Sequence, residues 1–283
     1  MKKIGFIDLF IDEWHANNYP QWFKESAKGK DFTLALAWEE GPRGGRPLTQ
    51  WCAEMGIPPA RSMKQVVEEC DAICILAPSN PEVHEHLADL PLRSGKPVYL
   101  DKPFAPDRAT AERLFALAHE YRTPLMSSSA LRYGNELRQL RKELAEQKKN
   151  VRFVGTLGGG SSFQEYGIHQ VEMIVSFLGM GAKRVMQCGG EKTNHMVIGY
   201  DDDRRATVTL NPEMPFTAVI CHDGGVSHVV HMNDIFENLI ADMLEFFAAG
   251  TSPIDYRETI EISTIVAAGN KALSLPGKWV VID

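Results

Sequence analysis

The triplet Asp101-Lys102-Pro103 joins a carboxylate, an ammonium and a backbone constraint within three residues. An ammonium at the end of a strand can hydrogen-bond a substrate hydroxyl and offset the charge that develops on its oxygen. Pro103 disfavours helical backbone at Lys102 and holds the chain extended, which aims the amine off the strand end. Upstream, the segment Ala77-Pro78-Ser79-Asn80 closes another apolar run. In a doubly wound sheet both strand ends would open on the carboxyl edge, where ligands bind. A lysine that only fixes the turn is the competing reading.

A second group of reactive side chains lies in Glu165-Tyr166-Gly167-Ile168-His169-Gln170-Val171-Glu172. Spacings of four and seven residues put Glu165, His169 and Glu172 on one helical face. A neighbouring carboxylate raises the imidazole pKa from its usual value of about 6.5, toward that of a working general base. The alternative is a helix histidine satisfied by packing, because a base must also meet its proton at hydrogen-bond distance. Cys221, His222, Asp223, His228 and His231 could converge across a hairpin as zinc ligands. His228 and His231 lie three apart, so on a strand they point to opposite faces, and recognised zinc spacing is absent. No metal is expected.

Elements that would position these groups follow from periodicity. Short apolar runs at 3–9, 33–38, 72–76, 98–100 and 124–127 alternate with helical patterns at 19–27, 48–55, 63–69, 81–93 and 107–121. That alternation predicts βαβ units and a Rossmann-like, doubly wound parallel sheet over residues 1–125. Residues 126–283 read as an α+β domain with a mostly antiparallel sheet, in which Asp201-Asp202-Asp203 and His222-Asp223-Gly224-Gly225 mark hairpin turns. Helices at 135–147, 234–249 and 256–273 complete it.

Composition narrows the function. With 283 residues, 44% hydrophobic, the chain can bury a substantial core. A formal net charge of −7 repels polyanions, so nucleic acid is not an expected partner. No run reaches the roughly 18 apolar residues of a membrane span, and the first residues pass straight into a strand pattern rather than a signal peptide. Five dispersed cysteines without a C-x-x-C pair suit a reducing compartment. The expected location is cytoplasmic.

Cys70 to Ala105 joins these motifs: a strand ending in Pro and Asn, His84 shortly after, Gly95-Lys96-Pro97-Val98, then an acidic-Lys-Pro triplet. This order resembles the Gfo/Idh/MocA oxidoreductases, with Asp101 in place of their usual Glu. The family's Asp-x-Gly-x-His pattern is matched in spacing by Glu165, Gly167 and His169, with Glu172 for a later Asp. Ser127 to Tyr133 and the segment from Gly250 to Val281 extend the similarity. The resemblance implies an NAD(P)-dependent enzyme acting on a sugar, polyol or similar hydroxylated molecule, and a homo-oligomer. It assigns Lys102 and His169 to catalysis with Glu165 beside them, and places Asp8, Phe10, Glu39, Ala77, Pro78, Ser79, Asn80, His84 and Asp101 around NAD or NADP.

The family's first turn, G-x-G-x-x-G, lets backbone amides approach the cofactor diphosphate. Here Asp8, Phe10 and Glu13 stand in the glycine positions. A carboxylate about 4 Å from a phosphate charge costs about 1 kcal/mol in water and about 4 near a protein surface. A dinucleotide would have to bind displaced, against Ser79 and Asn80. Trp14, Tyr19 and Trp22 either stack on a ligand, with Asn17 and Asn18 bonding its hydroxyls, or pack a core. A ligand-binding descendant that has lost the dinucleotide is the rival expectation, and a metal-dependent lyase or hydrolase a third.

Overall fold

The computed structural model describes residues 1–41, 45–190 and 192–282. The chain divides into two compact units. Met1–Ser128 with Leu239–Tyr256 form one; Ser129–Asn238 and the chain from Arg257 onward form the other. The sequence alone had assigned 239–256 to the second half.

In the first unit, β1 (Lys2–Asp8), β2 (Phe32–Glu39), β3 (Ala72–Ile75), β4 (Val98–Leu100) and β5 (Leu125–Met126) form a parallel sheet in the order β2-β1-β3-β4-β5. Strands β1, β3 and β4 are almost continuously buried, as expected when helices cover both faces of a parallel sheet. The connecting helices are α1 (Trp14–Glu25), α2 (Leu48–Met55), α3 (Met63–Glu69), α4 (His84–Leu92) and α5 (Arg108–Glu120). At Gly5 a Cβ would collide with Val66, so the missing side chain lets α3 lie directly on β1. The chain steps from β1 outward to β2 and then crosses to β3 on the other side. The reversal between β1 and β3 is the topological switch point where such sheets open a ligand crevice.

The periodicity predicted α1 over 19–27, but the helix begins at Trp14. Glu13 explains the early start: its carboxylate caps the first turn, supplying acceptors that an apolar-period reading does not register.

The second unit contains α6 (Asn135–Glu146), β6 (Val151–Gly158), α7 (Phe163–Leu178), β7 (Ala182–Gln187), β8 (Asn194–Tyr200), β9 (Arg205–Leu210), β10 (Thr217–His222) and β11 (Gly225–Val229). Helix α8 (Ile235–Ala249) passes into the first unit from Leu239, and α9 (Tyr256–Leu273) and β12 (Val280–Val281) close the chain. The sheet order is β11-β10-β6-β9-β8-β7-β12, antiparallel except for the β6–β9 pair. Both predicted hairpins form, across 201–204 and 223–224. Helix α7 is anchored by Phe163, 1% exposed, whose ring fills space left by Gly167 and Gly269. Burying such a side chain contributes about 1.5–3 kcal/mol, so this ring fixes the helix that carries His169.

Candidate active site

At the carboxyl end of β1, Asp8 is fully enclosed. Its Oδ1 accepts hydrogen bonds from the amides of Leu9 at 2.7 Å, Ala77 at 3.1 Å and Phe10 at 3.4 Å. Its Oδ2 is buried with no hydrogen-bond partner among the described residues. Burial, then the nearby Glu13 charge, push the Asp8 carboxyl well above the usual range, against the pull of the three amides. Ala77 and Ser79 have φ of 40° and 63°, a left-handed region that costs non-glycine residues about 1–3 kcal/mol each. Asp8 therefore pins a strained loop at the switch point.

Glu13 caps α1. Its carboxylate accepts from the amide of His15 at 2.6 Å and from that of Ala16. Burial is the largest influence on its pKa, which rises to about 7. Asp12 binds Arg46 and Asn17, and Glu39 accepts from the amides of Ile11 at 2.9 Å and Leu48 at 3.0 Å. Each carboxylate of this turn is thus engaged with the chain's own donors.

At the end of β4, Asp101 is wholly buried and pairs with His15 Nδ1, while the Tyr99 hydroxyl donates to its other oxygen at 3.2 Å. Burial alone would raise the Asp101 carboxyl, but His15 and then Lys102 outweigh it and hold it below its usual value. Lys102 follows through a cis peptide to Pro103 and is half-buried; its ammonium makes no hydrogen bond among the described residues. His84 lies fully buried with its nitrogens 3.0 Å from the Phe104 carbonyl and 3.1 Å from that of Ala77. It fastens the Ala77–Asn80 loop to the chain just after Lys102. Asp8, Ala77, His84 and Asp101, expected around a cofactor, are enclosed and hold loops rather than present side chains to a ligand. Phe10, Pro78, Ser79 and Asn80 keep exposed surface.

In the second unit, His169 Nδ1 lies 2.6 Å from the Ser129 hydroxyl. The Ser129 amide donates to Glu172 at 3.1 Å, and Glu172 forms an ion pair with Arg132 at 3.2 Å. Arg132 also pairs with Glu258. Burial works against the Arg132 charge, but Glu172 and Glu258 outweigh it and keep the guanidinium protonated. The ring of His169 contacts Tyr166 and Phe216. Glu165, expected beside His169, is exposed and turns to Ser161 Oγ at 3.2 Å. The spacing of four residues put it on the right face, but in the first turn of α7 it reaches back toward the preceding loop. Sequence reasoning missed Ser129 and Arg132 as partners of this site. Their signal was a serine run followed by an arginine after the last parallel strand.

The aromatic segment has mostly been absorbed into packing. Tyr19, 1% exposed, stacks on His15 at 5.1 Å, and Trp14 and Trp22 meet edge to face at 5.5 Å, with Trp14 still 52% exposed. Asn17 accepts from Trp51 and Arg46, and Asn18 donates to the Trp14 carbonyl. On the hairpin, His222 bonds Asp223 and Ser227, and no group of three or more potential metal ligands occurs among the described residues.

A parallel sheet with a switch point and a second unit built on a mixed sheet define a two-unit α/β fold. The model of the oxidoreductase family with an NAD-binding Rossmann fold, Gfo/Idh/MocA, matches residues 15–128. The match begins after the turn that carries Asp8, Phe10 and Glu13. A curated relative, the dTDP-3,4-didehydro-2,6-dideoxy-alpha-D-glucose 3-reductase of Actinomadura kijaniata, is 27% identical over 142 residues, covering 44% of this chain and 42% of that protein. Among solved structures, scyllo-inositol dehydrogenase from Lactobacillus casei with bound NAD(H) and scyllo-inositol has a TM-score of 0.81 at 14% identity, covering 99% of each chain. An oxidoreductase from Agrobacterium radiobacter in complex with NAD+, L-tartaric acid and magnesium has a TM-score of 0.78 at 13% identity, covering 99% of this chain and 98% of that one. The family model covers residues 15–128, and the likeness to these solved structures extends the shared fold over the whole chain.

The matched family model is that of NAD-binding oxidoreductases. The residues at the β1–α1 turn do not fit the dinucleotide's diphosphate. The amides that would cradle phosphate oxygens already bind Asp8 and Glu13, and the acid that would receive a ribose hydroxyl, Glu39, binds the backbone.

Proposed function

We propose that the chain is an oxidoreductase acting on a CH–OH group of a sugar, polyol or similar hydroxylated small molecule. The reading rests on the family match over residues 15–128 and on one observation of geometry: the His169 imidazole is held through Nδ1 by the Ser129 hydroxyl at 2.6 Å. In this account Lys102 hydrogen-bonds the reacting hydroxyl and stabilises charge on its oxygen. His169 serves as general acid/base for a substrate hydroxyl. Asp101 is enclosed and, through His15 and Tyr99, fixes the strand end that precedes Lys102. Glu165, given its exposure, serves the rim of the site. The relatives' names suit such substrates, one being an inositol dehydrogenase and another a sugar 3-reductase.

The redox partner in this reading is NAD or NADP, bound away from the β1–α1 turn and against the surface of Ser79 and Asn80. In this reading the enzyme works in the cytoplasm as a homo-oligomer, with neither nucleic acid nor membrane as partner; the net charge of −7 disfavours a nucleic-acid partner.

One observation favours a second reading, a ligand-binding protein of the same fold without redox activity: the filling of the diphosphate seat by Asp8 and Glu13. Titration with NADH and NADPH, combined with turnover assays over a panel of polyols and sugars, separates the two. Binding with turnover supports the oxidoreductase. A polyol or sugar that binds while neither nucleotide does supports the second reading and removes the first.

A further inference from the structure

We infer that Glu13 is an intramolecular occupant of the phosphate seat: its carboxylate competes with any diphosphate for the first-turn amides of α1. This goes beyond the proposed reaction and does not depend on it.

Two independent observations point to the competition. The first is the cap itself. A helix N-terminus with free amides attracts anions through its unpaired donors and its dipole. On α1 the amides of His15 and Ala16 both donate to Glu13, which is 8% exposed. Carboxylate oxygens stand where phosphate oxygens would otherwise find those donors. The second is Asp8. Its Oδ2 is buried and unpartnered beside Glu13, and Oδ1 has claimed the Leu9 and Ala77 amides. The same turn therefore holds a polar atom that lacks a partner and a carboxylate that uses the donors.

Removal of the Glu13 charge should open the seat. The groups facing Glu13 are Asp8 from β1, His15 from its own helix and Asp101 from the end of β4. Glu13 titrates near pH 7, whereas the two charges of a diphosphate diester do not change over that range. The wild-type protein should therefore bind such a ligand more tightly as pH falls from about 8 to about 6.

The probe is ADP-ribose, which carries the diphosphate without the nicotinamide and so separates this inference from the question of redox activity. Calorimetry on wild type, Glu13→Gln and Glu13→Ala is the measurement, with circular dichroism to verify the fold. Glu13→Gln keeps an acceptor for one amide and preserves the helix start if Glu13→Ala does not. Expected results are an affinity at least tenfold higher in Glu13→Gln than in wild type at pH 8, and a wild-type affinity that rises toward pH 6 while the variant's stays flat. Equal affinities in wild type and Glu13→Gln, including equal failure to bind, would overturn the inference whether or not a substrate is ever turned over.

Discussion

His15 Nδ1 and the Asp101 carboxylate form a buried pair between α1 and the end of β4, with Asp101 wholly enclosed and the His15 side chain 8% exposed. This pair ties the start of the first helix to the residue that precedes Lys102. Breaking it from one side leaves an uncompensated polar or charged group inside, which typically costs about 3–5 kcal/mol. His15→Ala should therefore lower unfolding free energy by roughly that amount in urea titration. The double variant His15→Ala, Asp101→Asn should be less destabilised than the sum of the singles. Additive losses would show that the two groups do not interact.

Asp8 and Glu13 both have folded-state pKa values above their ordinary ones, Glu13 at about 7. Groups shifted in this direction stabilise the fold fully below their unfolded pKa and lose that contribution as pH rises through the folded value. Stability should decline from about pH 4.5 to about pH 7 on account of Glu13, by an amount of order 3 kcal/mol at about 1.4 kcal/mol per unit. Asp101 acts in the opposite sense, because its folded pKa is lowered; its contribution is present above its unfolded value and disappears in acid. Thermal unfolding across this range should show the neutral-side decline in wild type and a flatter profile in Glu13→Gln.

Much of the first unit was legible from periodicity, since parallel strands buried on both faces read as apolar runs and their helices as amphipathic ones. Lys102 and His169 stood out as candidates because Pro103 and the helical spacing carry local signals. The start of α1 was not legible, because a glutamate cap leaves no hydrophobic trace. Nor was the partner of His169. Ser129 lies 40 positions away in the chain, and only tertiary packing brings it to α7. Glu165 was misplaced for the same reason, since a helical face defines neighbours by angle and cannot decide which way a flexible carboxylate in a first turn bends.

Ser129 acts on His169 as a positioning residue. Its loss should reduce turnover by about tenfold, in keeping with a single hydrogen bond of ~1 kcal/mol or somewhat more. Ser129→Thr keeps the hydroxyl and should recover most of the rate. A Ser129→Ala protein with wild-type turnover, or a threonine variant no better than alanine, would dissociate the serine from the imidazole's function.

Arg132 joins Glu172 and Glu258 in a largely buried cluster. Arg132→Met should destabilise the protein by about 3–5 kcal/mol, because two carboxylates lose their cation. Arg132→Lys should recover only part of this, since an ammonium cannot serve both partners with a planar fork. Chemical denaturation of both variants provides the comparison.

A double-mutant cycle on turnover tests the proposed catalytic roles of Lys102 and His169 most directly. Steady-state rates of wild type, Lys102→Ala, His169→Ala and the double variant would be measured with NAD or NADP and the best polyol or sugar of a panel. Each single change should cut kcat by about 10²–10⁴-fold, and the double should cost little more than the worse single, because groups serving one proton transfer fail as a unit. Multiplicative losses, or singles that turn over like wild type, would contradict the account.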